Sequence, residues 1–114
     1  MAQYGLILYG DPTRWKKISP EEMQKVTDKY MEWGRKAASA GFLRSSHRLA
    51  EDVGKVMRGA GVTDGPFSET KEILGGFYLI EAASYQDAVK LTTGHPHIEY
   101  GGTIEVRQLH AVQG

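Results

Sequence analysis

An α+β fold is what this sequence of 114 residues predicts, and three observations predict it. Two short, densely apolar runs, residues 4–9 and 76–82, read as buried strands. Two segments carry apolar residues at steps of three and four and open on a serine, which marks amphipathic helices. Along the chain these alternate as strand, helix, a weak strand pair, strand, helix, strand, and the whole is one domain spanning residues 1–114.

The first strand, Tyr-Gly-Leu-Ile-Leu-Tyr over residues 4–9, is bounded by Gly10-Asp11-Pro12. A helix over 19–40 follows. Ser19 suits the cap, Pro20 the first helical position, Glu22 completes a capping box, and Met23, Val26, Tyr30, Trp33, Ala37 and Ala40 share one face. Gly41 then fits the left-handed residue beyond the helix. Residues 42–49 and 55–58 read as a polar hairpin turning at 51–54, and Gly59 to Phe67 as a glycine-rich loop. Residues 68–74 suggest a short helical turn. The strand over 76–82 is followed by a helix from Ser84 to Gly94, a loop over 95–102, and a last strand over 103–112 with a bulge near Leu109. Without its central hairpin this is the split βαβ order of a ferredoxin-like sandwich. The strong strands are apolar on both faces: Leu6 and Leu8 against Ile7, Tyr78 and Ile80 against Phe77 and Leu79. Two helices cover only one face of such a sheet, so a second copy of the chain is expected on the other.

Composition excludes much. There are no cysteines, so disulfides, thiolate catalysis and zinc-thiolate sites are ruled out. Lys plus Arg equals Asp plus Glu, 14 against 14, which gives no overall pull toward nucleic acid or an anionic membrane. The basic residues crowd the first half, eleven against seven acids over 1–59, with three against seven beyond. They are interleaved with acids, so complementary packing is the expected use rather than nucleic-acid binding. No apolar stretch approaches a membrane span, and no signal peptide is read at Met1-Ala2-Gln3-Tyr4, so a soluble cytoplasmic protein is expected.

The segment Asp64-Gly65-Pro66-Phe67-Ser68-Glu69-Thr70-Lys71-Glu72 is distinctive, as are Leu74-Gly75-Gly76-Phe77, Pro96-His97, Tyr100-Gly101-Gly102 and Ile104-Glu105-Val106-Arg107. With the opening Leu8-Tyr9-Gly10-Asp11, they resemble the YCII-related proteins, in the branch carrying an Asp-Gly-Pro-Phe motif. The resemblance implies a ferredoxin-like fold in side-by-side dimers of the dimeric α+β barrel type. It also implies a His–Asp active-site pair and an association with extracytoplasmic-function-type sigma factors. Ser45-Ser46-His47-Arg48 departs from the family pattern, where many relatives carry a longer hairpin.

The candidate chemistry follows from residue types. His97, in the loop before the last strand, titrates near neutral pH and suits acid–base work. Asp64 is the carboxylate expected to orient it and raise its pKa, although Asp-Gly-Pro is also ordinary turn chemistry. Tyr9, Phe67, Glu72 and Tyr78 are expected to line a ligand pocket. Glu72 and Glu105 are further possible bases, with a salt bridge to Lys71 or Arg107, or plain solvation, as the alternative. His95-Pro96-His97 offers two imidazoles at metal-site spacing, with a third ligand to be drawn from His47, Asp64, Glu72 or Glu99; no metal and no cofactor are expected. Trp15 and Trp33 read as packing anchors. The expected activity is cofactor-free acid–base chemistry on a small molecule by His97 and Asp64, or else a non-catalytic ligand-binding or regulatory module.

Overall fold

The computed structural model describes residues 1–67 and 71–111. Four strands form one antiparallel sheet: β1 (Ala2–Gly10), β2 (Leu43–Arg48), β5 (Ile73–Ala82) and β6 (Thr103–Gln108). Their spatial order is β2-β5-β1-β6, the arrangement of a ferredoxin-like α+β sandwich with the two densest apolar strands at its centre. The sheet is open, with β2 and β6 as its edges, and one chain closes no barrel. Helices α1 (Pro20–Ser39) and α2 (Tyr85–Thr92) begin as their sequences predict, with Ser19 Oγ accepting from the Glu22 amide and Ser84 Oγ from the Asp87 amide. A 3-10 helix over Pro12–Lys17 links β1 to α1.

The core lies between the helices and one sheet face. Tyr4, Leu6 and Leu8 of β1 meet Tyr78, Ile80 and Ala82 of β5 and Ala88 of α2, with Tyr30 and Trp33 of α1 packed over them. Leu6 and Ile80 have no exposed surface. On the other face Ile7 pairs with Phe77 across the central strands, Leu79 stands opposite Gly5, and the His47 ring lies 4.9 Å from that of Phe77. Helix covers the first face; the second carries an apolar centre flanked by the Arg44–Glu81 and Arg107–Glu105 ion pairs.

Four local expectations need correction. The hairpin does not turn at 51–54, because β2 pairs with β5 rather than with β3 (Lys55–Arg58). The partner of β3 is β4 (Gly61–Asp64), in register Lys55 with Asp64 and Arg58 with Gly61. Glycines 59 and 61 flank the turn of that hairpin, and Gly61 takes φ +142°, so composition alone reads the segment as loop. Residues 95–102 contain a one-turn helix, α3 (Pro96–Glu99), capped by a histidine in place of the usual Ser, Thr, Asp or Asn. β6 ends at Gln108, and Leu109 donates its amide to the Gln3 carbonyl at 2.8 Å. The register shifts lie elsewhere, between Leu8 and Tyr9 and between Leu43 and Ser45. The helical turn expected over 68–74 falls partly on residues 68–70, outside the described residues; its last two residues, Ile73 and Leu74, open β5. The end expected for the last strand, Val112, also lies outside them.

Candidate functional site

Two buried histidines sit where α3 meets the sheet. Gly94, at φ +85°, ends the α2 connection and turns the chain inward. His95 is 1% exposed, and its Nδ1 accepts the amide hydrogen of His97 at 2.9 Å. Nδ1 is therefore unprotonated, and the neutral ring donates from Nε2 to Tyr78 Oη, 2.9 Å away. The ring lies edge-on to Trp33 (4.6 Å between centroids) and to Tyr30 (5.3 Å). Burial, helped by the neighbouring His97 charge, pushes the His95 pKa down to about 4. This histidine is a structural cap and a neutral donor at neutral pH.

His97 is 8% exposed and held at both nitrogens. The Tyr9 carbonyl lies 2.7 Å from Nε2, so Nε2 carries the proton and donates it. Nδ1 then accepts from the Tyr30 hydroxyl at 2.8 Å. Glycines make the slot: a Cβ on Gly102 would clash with the imidazole, and one on Gly10 would lie 3.4 Å from its Cε1. Burial lowers the His97 pKa, opposed by the Tyr9 carbonyl; the Arg14 charge lowers it further and Glu72 raises it. Tyr30 is a neutral phenol, its pKa pushed up to about 12 by burial, and burial does the same for Tyr78. The arrangement is a short relay, Tyr30 Oη to His97 Nδ1 and His97 Nε2 to the Tyr9 carbonyl. Any proton that His97 exchanges through Nδ1 passes by way of Tyr30 Oη.

The residues singled out from sequence divide into two sets. His97 is at the relay, Tyr9 contributes its carbonyl, Tyr78 supports the relay through His95, and Glu72 acts on His97 by charge and lies 3.5 Å from Thr103 Oγ1. The Tyr9 hydroxyl points to the opposite face and donates to Glu105 at 3.2 Å. Asp64 and Phe67 belong to the β3–β4 hairpin region. Asp64 pairs with Lys55 Nζ at 2.6 Å, with its side chain 70% exposed. Phe67 is 70% exposed, with the Arg58 guanidinium 5.3 Å from its ring centre. Among the described residues the groups that bond or electrostatically perturb the His97 ring include Tyr30, Tyr9, Arg14, Glu72 and Thr103, and its pKa moves down rather than up. Among the described residues no three His, Cys, Asp or Glu are grouped to hold a metal ion, and the nitrogens of His95 and His97 are committed to protein partners.

Sequence reasoning missed Tyr30 and Arg14. Tyr30 falls on the apolar face of α1 and reads as core there; nothing local marks its hydroxyl as a partner for a residue 67 positions away. Arg14 lies in the short 3-10 helix, against Gly10 and Gly101. Trp15 and Trp33 are packing residues, Trp15 edge-on to Tyr100 and Trp33 against Phe42 and Tyr78. No helix among the described residues is long and apolar enough to cross a membrane.

Comparison with known proteins returns a consistent picture. The model of the YCII-related domain matches residues 2–112. An uncharacterized protein of Rhizobium meliloti (strain 1021) is 36% identical over 115 residues, covering 93% of this chain and 90% of that protein.

Proposed function

The chain belongs to the YCII-related domain family, and from that premise we propose that it acts on a small molecule by cofactor-free proton transfer at the Tyr30–His97 pair. The observation that carries this reading is the relay itself, a phenol and an imidazole 2.8 Å apart with the far imidazole nitrogen anchored on the Tyr9 carbonyl. In one direction Tyr30 Oη takes a proton from the ligand while its own proton passes to His97 Nδ1. The ligand loses one proton, Tyr30 ends neutral, and the imidazolium keeps its Nε2–H on the carbonyl. Burial opposes that charge and Glu72 favours it. His95 and Tyr78 hold the backbone of His97 in place. Asp64-Gly65-Pro66-Phe67 supports placing the chain, within that family, in a branch carrying an Asp-Gly-Pro-Phe motif. The working form in this reading is a homodimer joined through the uncovered sheet face of Ile7, Phe77 and Leu79, burying on the order of 1,600 Å² in total. Sedimentation at micromolar concentration should give twice 12.6 kDa; a monomer would remove that part.

A second reading, a non-catalytic ligand-binding module of the kind associated with sigma-factor control, is favoured by one feature: both nitrogens of His97 are satisfied inside the protein. Native mass spectrometry of the purified chain identifies a co-purifying small molecule. Incubating that molecule with the protein in deuterated water then separates the readings. Deuterium incorporation lost in Tyr30→Phe supports proton transfer, whereas tight binding with no incorporation supports the module.

A further inference from the structure

We propose that Arg14 anchors a binding site for a small carboxylate, offering guanidinium hydrogens that no acceptor among the described residues takes up, beside the Tyr30–His97 relay. Arg14 lies four residues past the carboxyl end of β1, in the 3-10 helix over Pro12–Lys17. Its Nε and Nη1 are enclosed, and neither has a hydrogen-bond acceptor among the described residues. A guanidinium cannot shed its charge to relieve this, since it stays protonated at any physiological pH. An enclosed ionic donor without an acceptor is costly, and a native structure that keeps one needs a reason for it. The surroundings are shaped around the group. A Cβ on Gly10 would come within 2.9 Å of Nη2, and one on Gly101 within 2.7 Å of Nη1, while the Trp15 ring centre lies 5.4 Å from Cζ. Gly101 also takes φ +86°, so glycine suits this wall twice over.

The neighbouring charges define the ligand class. Asp11 feels the Arg14 charge, but its Oδ1 accepts from the Thr13 amide at 3.0 Å and the Thr13 hydroxyl at 2.7 Å. Glu72 acts on His97 and lies 3.5 Å from Thr103 Oγ1. Lys71 adds a positive charge near Asp11. With two carboxylates in range, a phosphate dianion meets repulsion that a monoanion feels less. A carboxylate matches the planar fork of a guanidinium and needs only that one cation. The charge of Arg14 acts on both His97 and Tyr30, so a carboxylate seated on it would also ease protonation of the relay. The inference rests on the proton-transfer reading only for what then happens to the ligand, not for its binding.

The test uses the full chain and acetate as probe, with acetamide as the neutral isostere and inorganic phosphate as the competing anion. Acetate should shift the Arg14 Nε–H and His97 ring NMR signals saturably, with a dissociation constant on the order of millimolar for so small a ligand. Acetamide should not, and phosphate should bind more weakly. Arg14→Met should weaken acetate by about tenfold or more, and Arg14→Lys by less, since it keeps the charge without the fork. No saturation below about 100 mM, equal response to acetamide, or tighter binding of phosphate would each overturn the proposal. If Arg14→Met does not fold, the acetate–acetamide contrast on the parent protein and Arg14→Lys still decide it. Tyr30→Phe separates this from the proton-transfer reading. It should leave acetate binding within about twofold, so acetate binding kept while deuterium incorporation proves independent of Tyr30 retains the anchor and sinks the relay chemistry.

Discussion

The histidine corner and the β3–β4 hairpin both carry polar groups and use them in opposite ways. At the corner, both nitrogens of His95 and of His97 are bonded to protein, Tyr30 and Tyr78 are neutral phenols, and glycines at 10 and 102 leave room for the His97 ring. On the hairpin, Asp64 meets Lys55 in solvent, and Met57 and Val62 are 81% and 60% exposed. Both regions hold motif residues of the family pattern, but only the corner holds them in a low-dielectric setting, where a hydrogen bond or a charge is worth most. A motif identifies kinship; burial decides which of its polar residues has committed chemistry.

The largest expected effects come from filling the glycine seams of the sheet and corner. A Cβ at Gly76 would fall 2.7 Å from the His47 carbonyl oxygen, between β2 and β5, and one at Gly102 would strike the His97 ring. Gly76→Val and Gly102→Ala should each cost about 3 kcal/mol, read as a drop in denaturant midpoint. At the hairpin turn, Gly59 has nothing within 4 Å of a Cβ and no left-handed φ. Gly59→Ala should therefore stay within about 0.5 kcal/mol of the parent. Equal losses at all three positions would break the contrast between the regions.

Acid should find the corner next. The His95 pKa falls from about 6.5 unfolded to about 4 folded, so between these values the unfolded chain binds more protons. Stability is then full above pH 6.5 or so and lost as pH falls toward 4, by on the order of 3 kcal/mol, with His97 adding in the same direction. His95→Asn keeps a side chain able to cap α3 and removes the titration, so it should flatten this limb of the stability curve. An unchanged limb would place the acid sensitivity outside His95.

Tyr30→Phe is smaller. It leaves His97 Nδ1 without its donor while preserving the ring that packs near His95, and should cost roughly 1–2 kcal/mol. Thermal unfolding of the variant at pH 7.5, where His97 is neutral in both states, measures this free of the titration. No change in midpoint would mean that water replaces the hydroxyl, and that the corner is as open as the hairpin.

The fold was legible where the signals are local. Ser19-Pro20-Glu21-Glu22 and Ser84 place the two main helix starts, and apolar density picks out β1 and β5 as the sheet's centre. The partner of β2 was not legible, because a six-residue strand reading Leu-Arg-Ser-Ser-His-Arg has no alternation to fix its register, and its neighbour lies some thirty positions on. His97 stood out as a histidine in a glycine-bordered loop. Its partner did not, since hydrogen bonds between residues 30 and 97 leave no trace in spacing. Asp64 is marked by its motif, whereas its pairing across β3–β4 depends on β4, a strand whose glycine start resembles loop.

The smallest effect is expected at Asp64, and it discriminates most sharply between motif and environment. Its carboxylate lies 2.6 Å from Lys55 Nζ, with both side chains about 70% exposed. Solvent screens such a pair, and exposed pairs of this kind contribute little to stability. Asp64→Asn keeps the side-chain shape and its turn preference before Gly65-Pro66, so the melting midpoint should not move measurably. The His97 titration followed by NMR should also be unchanged, because the charges acting on that ring are Arg14 and Glu72. Glu72→Gln, by contrast, should lower the His97 pKa further, as it removes a carboxylate that raises it. If Asp64→Asn shifted His97 and Glu72→Gln did not, the hairpin would have to reach the corner in solution, and the carboxylate partner of His97 would be the one named by the motif.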